Sequence, residues 1–209
     1  MKTKTTDHLR KGLSPAALLC SFALIFTSAA ASADPMVSVT DGGTHEYNTD
    51  YTMDVPQNMV GTPAVNIGGL NGGTVRFKNN LTINNDTPMG SLMQPQGIQV
   101  NLQNTSGNAF VEVLGKAIIN TREVAVRADA YNSAAYSTGD HSEINSANNV
   151  ALSAHRSGLI AVGDGAKITG NAYGATVATI VASSGGKVEI GDNAEIGQIA
   201  TNYSANRIA

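Results

Sequence analysis

The 209 residues include 14% charged residues, no tryptophan and one cysteine, and carry a formal net charge of −3. No basic stripe with interleaved aromatics is present, which excludes the footprint of a nucleic-acid binder, and the long Leu, Glu and Lys tracts that build helices are missing. Abundant Gly, Asn, Ser, Thr and Ala would suit disorder, but here β-branched residues fall in short runs separated by Gly and Asn, so the chain reads as all-β.

Residues 1–33 read as a secretory signal peptide. Lys2, Lys4, Arg10 and Lys11 form a basic start, Ala16 to Phe26 an apolar run, and Ala31-Ser-Ala33 a small-residue cleavage site before Asp34. The apolar run is shorter than the about 20 residues that span a bilayer, so a membrane anchor is the weaker alternative. Leu19 is too large for the residue preceding a lipoprotein cysteine, and Cys20 reads as filler of the apolar run. Removing this segment leaves 176 residues with nine Lys plus Arg, fifteen Asp plus Glu and no cysteine. An exported chain without disulfides needs a regular hydrogen-bonded framework or an unusually good core.

Residues 34–66 alternate weakly at Met36 to Val39 and again from Tyr47 to Met53, with Pro35, Pro56 and Pro63 close by. Proline suits edges and turns better than interior ladders, and this stretch is expected to be an atypical cap or a partly ordered entry. His45 and Glu46 lack partners at metal-ligand spacing and read as surface residues.

From residue 67 to 120 the runs Thr74–Phe77, Leu81–Ile83, Gly97–Leu102 and Ala109–Leu114 alternate or nearly do so. Alternation sends Val75, Phe77, Leu81 and Ile83 to one side and Arg76 and Thr82 to the other. Between 121 and 156 the pattern is least regular: Glu123–Ala130 reads as a strand, Ala128–Ala135 as a helical turn, and Asp140–Ile144 and Asn149–Ser153 as short β-runs. His141 and His155, with Asp140 and Glu143 nearby, would meet only if adjacent coils stacked them. Asp129, Asp140 and Glu143 are the one carboxylate grouping a polysaccharide-active enzyme would offer.

The clearest signal is a repeated phrase, Ser157 to Ile168 and Gly185 to Ile196, 28 residues apart, each with glycine, a β-run, a Gly-Asp corner and a second β-run ending in Ile. A divergent copy runs from Gly72 to Ile83, again with ten residues from its second glycine to its Ile. One unit holds three β-runs, Leu159–Val162, Ala166–Ile168 and Thr176–Ala182, which is what one coil of a parallel β-helix requires. Stacking predicts Leu159 near Lys187 or Val188, Val162 near Ile190, and Ile168 near Ile196. Asp164 and Asp192 read as turn residues; a calcium-binding glycine-aspartate repeat is the alternative, but its nonapeptide signature is absent. A β-sandwich needs no repeated phrase. A head of shorter coils would need another copy midway between the two phrases, and Asn171 to Ala175 supplies none.

The phrases Ala161–Gly170 and Ser184–Ile196 resemble the degenerate repeats of type V autotransporter passengers of Gram-negative bacteria, in particular AIDA-like and pertactin-like adhesins. The resemblance covers residues 67–209. It implies a right-handed parallel β-helix, displayed on or released from the outer membrane after transit through the periplasm. It also implies the secretion machinery and a translocator barrel downstream as partners. The Gly-Asp-Ser-Gly signature of serine-protease passengers is absent, and no catalytic, cofactor-binding or metal-binding residue is assigned. The chain ends at Ala209 without a barrel, so 67–209 reads as a truncated passenger. The expected function is that of a non-enzymatic surface or secreted binding protein. Its partner would be a host-cell, matrix or bacterial surface receptor; the alternatives are a polysaccharide-active β-helix and an inactive structural fragment.

Overall fold

The computed structural model describes residues 36–59, 62–68, 71–87, 95–102, 107–171 and 178–198. The signal segment expected at 1–33 lies outside the described residues.

Six coils of parallel strand stack along one axis. The first holds β1 (Val37–Val39), β2 (Thr44–Tyr47) and β3 (Tyr51–Asp54); the second β4 (Val65–Ile67), β5 (Gly73–Phe77) and β6 (Leu81–Asn85); the third β7 (Pro95–Leu102), β8 (Asn108–Val113) and β9 (Ala117–Thr121). In the fourth and fifth coils the first two positions run together as single strands, β10 (Val124–Thr138) and β12 (Leu152–Val162), followed by β11 (Glu143–Ser146) and β13 (Lys167–Gly170). The sixth coil is β14 (Ile180–Ser183), β15 (Lys187–Ile190) and β16 (Glu195–Gln198). First and second positions form one ten-stranded sheet, because β10 and β12 span both, and third positions form a six-stranded sheet. Val37 to Asp54 thus hold the three strands of a full coil, and Val65–Ile67 opens the next.

Hydrophobic alternation decides the register. One row of the first position runs Val37, Val65, Ile98, Val126, Leu152 and Ile180. A row of the second runs Val75, Val111, Tyr136, Ile160 and Val188. At the third position Met53, Ile83, Ile119, Ile144, Ile168 and Ile196 stack in order. Apart from the sixth coil's members, these residues are buried. Each buried aliphatic side chain contributes about 1.5–3 kcal/mol, and a slip of one residue would turn a whole row outward. Val75, Phe77, Leu81 and Ile83 face inward and Arg76 and Thr82 outward, as alternation predicts. The predicted stacking also holds: Leu159 pairs with Lys187, Val162 with Ile190 and Ile168 with Ile196.

The ten-residue phrase is present in every coil. Gly43, Gly73, Ala109, Ala134, Gly158 and Gly186 open the second position, and the Met53-to-Ile196 row follows each by ten residues. All variation in coil length lies outside this unit, so 28 is one spacing among several: Ile119, Ile144 and Ile168 are 25 and 24 residues apart, and Ile83 and Ile119 are 36 apart. Glycine opens the unit where backbone approaches closely. A Cβ on Gly158 would fall on the Ala128 carbonyl, and one on Gly186 on the Ala154 carbonyl.

Three readings of the irregular middle need correction. The helical turn expected over Ala128–Ala135 is extended strand, with a register shift between Ala130 and Ala134 where the first position bends into the second. Asp140 is a corner residue, not part of a strand, because β11 begins at Glu143. The run Asn149–Ser153 is mostly corner, with β12 opening at Leu152. Thr176 and Val177 of the run Thr176–Ala182 lie outside the described residues, Ala178 and Thr179 precede the strand, and β14 covers Ile180 to Ala182.

A buried polar knot ties the third position to the next first position. Ser146 and Thr121 hydroxyls both donate to the Glu123 carbonyl at 2.7 Å, and Asn149 Nδ2 donates to Glu123 Oε2 at 2.9 Å. Asn171 Nδ2 donates to the Ala147 carbonyl at 2.8 Å one coil further on. These bonds offset part of the cost of burying Glu123 and Asn149.

Candidate functional site

The outward residues of each position form rows as regular as the core. On the third position the side chains of Asp54, Asn84, Asn120 and Asn145 form a ladder. Asn84 Nδ2 donates to Asp54 Oδ1 (2.7 Å), Asn120 Nδ2 to Asn84 Oδ1 (3.1 Å) and Asn145 Nδ2 to Asn120 Oδ1 (3.0 Å). These amides satisfy one another along the axis, which makes the face a stabilising surface.

The second position carries a different face. Thr74, Phe110 and Ala135 occupy one outward row over β5, β8 and β10, and Glu46, Arg76, Glu112 and Ser137 the next, starting from β2. Thr74, Arg76, Phe110, Glu112, Ala135 and Ser137 line an open groove. Arg76 Nη1 lies 3.0 Å from Glu46 Oε1 and its Nε 2.5 Å from Glu112 Oε2, while Lys78 Nζ reaches Glu46 Oε2 at 2.7 Å. The ammonium of Lys78 and the guanidinium of Arg76 hold the Glu46 carboxyl below its usual value, and Glu112 and Glu46 raise that of Arg76. These four groups neutralise each other. The groove therefore offers a half-buried aromatic face with an ordered rim of hydrogen-bonding groups and no net charge.

Of the candidate residues in the sequence, Glu46, which reads as a surface residue, belongs to this rim, whereas His45, Asp129, Asp140, His141, Glu143 and His155 do not line the groove. His45 Nε2 lies 3.2 Å from Asp41 Oδ2 on the surface, and the Gly43 amide and His45 lower the Asp41 carboxyl. Asp129, Asp140 and Glu143 are not gathered into one grouping. Asp129 sits on the first position, Asp140 at the corner before the third, and Glu143 on the third, where Lys116 Nζ at 2.6 Å lowers its carboxyl.

His141 and His155 likewise lie on different parts of the coil. His141 occupies the left-handed corner position, with φ 56°, that Gly165 and Asn193 take in the next two coils. His155 is on β12, with Nε2 2.7 Å from Ser153 Oγ and Nδ1 2.5 Å from Ser183 Oγ. Burial, followed by the Arg127 charge, lowers its imidazole from the usual value. In the neutral ring one nitrogen donates and the other accepts, so His155 clips one serine of its own strand to one of the next coil.

The corner aspartates perform turn chemistry. Asp140 Oδ1 accepts the Asp164 N–H at 3.0 Å, and Asp164 Oδ1 accepts the Asp192 N–H at 2.8 Å. Gly139-Asp140 is thus a third Gly-Asp corner, 24 residues before Gly163-Asp164, and a fixed period of 28 steps over it. Among the described residues, no group of three His, Cys, Asp or Glu side chains converges as a metal site.

The Glu46, Arg76 and Glu112 row was missed for the same reason. Its members are 30 and 36 residues apart. The signal that would have found it is alternating charge at a constant offset from the glycine or alanine that opens each ten-residue unit.

No protein-family model, curated protein or solved structure matches this chain. The β-solenoid is established by the strand pairing itself.

Proposed function

We propose that this chain is an exported β-helical binding protein, an adhesin-like passenger of the autotransporter type, which engages its partner through the groove of the second position. The observation that carries this reading is the charge-neutralised rim around Phe110, spread over three successive coils. The C–H face of a sugar ring, or the apolar side chain of a matrix protein, packs on Phe110. Thr74, Ser137, Arg76 and Glu112 exchange hydrogen bonds with hydroxyls or amides at its edge. The rim is ordered before binding, so little side-chain entropy is lost on contact. Repetition along the axis suits an extended partner.

The basic and apolar start of the sequence supports export through the periplasm to the outer surface or medium. The resemblance of its repeats to those of AIDA-like and pertactin-like passengers supports the adhesin class. Binding without turnover is part of the proposal; Asp129, Asp140 and Glu143, the grouping a polysaccharide-active enzyme would have used, lie on different parts of the coil.

The test is adhesion of cells displaying residues 34–209 to matrix proteins and epithelial cells. A gain over control cells that Phe110→Ala reduces at least about threefold is expected, a change of about 0.65 kcal/mol or more in binding. No gain over control removes the proposal. Fractionation of cells expressing the full chain tests export separately, with the protein expected in the medium or on the outer surface.

A further inference from the structure

The outer face of the first position carries a second constellation. Arg127 is in register with Ser153, Asp129 with His155, and His155 with Ser183, so three consecutive coils place these side chains side by side. Arg127 Nη2 lies 2.9 Å from Asp129 Oδ2, and Arg156 Nε 3.4 Å from Asp129 Oδ1. The Asp129 side chain is only 6% exposed, whereas those of Arg127 and Arg156 are 30% and 36% exposed. The carboxylate thus lies beneath two guanidiniums that reach solvent.

These three groups carry two positive charges and one negative, within residues 34–209 that hold fifteen acidic against nine basic side chains. His155 adds no charge near neutral pH, because burial and the two arginines favour its neutral form over the opposing pull of Asp129. A buried carboxylate that orients two guanidiniums fixes planar donor forks in advance, the arrangement suited to a planar anion. The surplus of one charge matches a monoanion better than a phosphate dianion. Beside the forks, the half-exposed hydroxyl of Ser183, positioned by His155 Nδ1, retains hydrogen-bonding capacity of the kind that sugar hydroxyls use.

We propose that Arg127 and Arg156, oriented by Asp129, bind the carboxylate of an acidic sugar, with Ser183, positioned by His155, taking a hydroxyl of the same ring. This site lies on a different position of the coil from the Phe110 groove and does not depend on it.

The experiment titrates the full chain with a glucuronate-containing tetrasaccharide, with its carboxyl-reduced neutral counterpart and with inorganic sulfate. It is read by calorimetry and by the side-chain N–H resonances of the arginines. The acidic tetrasaccharide is expected to bind and to move the Arg127 and Arg156 signals, and the neutral counterpart to bind at least about tenfold more weakly, a change of about 1.4 kcal/mol. Arg127→Gln and Arg156→Gln are each expected to weaken binding by about the same factor, and the charge-keeping Arg127→Lys to recover part of it. Unmoved arginine signals in the wild-type chain overturn the proposal whether or not the variants fold. Equal affinity for the neutral sugar also overturns it, as does sulfate binding as tightly as the tetrasaccharide, which would mark a general anion patch.

Discussion

Asp164 shows how one side chain can serve two coils, since its carboxylate caps the Asp192 amide while its own amide is capped by Asp140. Asp164→Asn keeps an acceptor and is expected to leave stability within about 0.5 kcal/mol, whereas Asp164→Ala removes the bond and costs about 0.5–1.5 kcal/mol, read as a lower urea midpoint. Melting curves in chelator and in millimolar calcium are expected to coincide, because the corner oxygens are engaged by backbone; a calcium-dependent rise in Tm would reinstate a metal role for these corners. His155 yields a pH prediction. Its folded value lies below the unfolded one of about 6.5, so the unfolded chain binds the proton first as pH falls. Its contribution to stability is complete above the unfolded value and is lost on acidification below it. The Tm of the wild type is expected to drop between about pH 7.5 and 5.5, and less so in His155→Asn. The depressed carboxyls of Glu46 and Glu143 titrate at lower pH and lose their contributions there. An equal drop in both proteins would show that the Ser153 and Ser183 clip is not the titrating element.

At the scale of the strand, the informative comparison lies within one row. Ile144 is fully buried between Ile119 and Ile168, and Ile196 is 43% exposed. Ile144→Ala is expected to cost about 2–5 kcal/mol by cavity formation and Ile196→Ala less than about 1 kcal/mol, measured by equilibrium denaturation. Gly158→Ala is expected to destabilise although alanine occupies the same row at Ala109 and Ala134, because here the new methyl meets the Ala128 carbonyl. The second and third strands of the second, fifth and sixth coils were legible because alternation and the ten-residue offset both survive there in the residue types, whereas Thr44–Tyr47 and the second half of β10 do not read as strands in the sequence. The first strand and the corners around it were less legible. The bend inside β10 reads as Ala-rich sequence with helical propensity, and tertiary pairing with β7 and β12 overrides it. Neither the Phe110 groove nor the Arg127 cluster was visible, because each is assembled from residues whose sequence offsets change from coil to coil.

For the whole molecule, stability approximates a sum of coil terms and coil-to-coil contacts, since each coil touches only its neighbours. Without cysteine in residues 34–209, the parallel ladders and stacked core hold the chain together. Hydrogen exchange is expected to be slowest in β9 and β11, each paired on both sides, and faster in β16, which among the described residues pairs only with β13. Uniform protection along the stack would show that the solenoid opens as a single unit. The invariant ten-residue segment and the variable corners have a different kind of consequence. A duplication that carries one whole segment together with its first-position strand and corners inserts a coil in register, and each insertion lengthens the stack by about 4.8 Å. The axial span of the stack is therefore set by copy number, and recombination can change it without altering the outward rows of the coils already present.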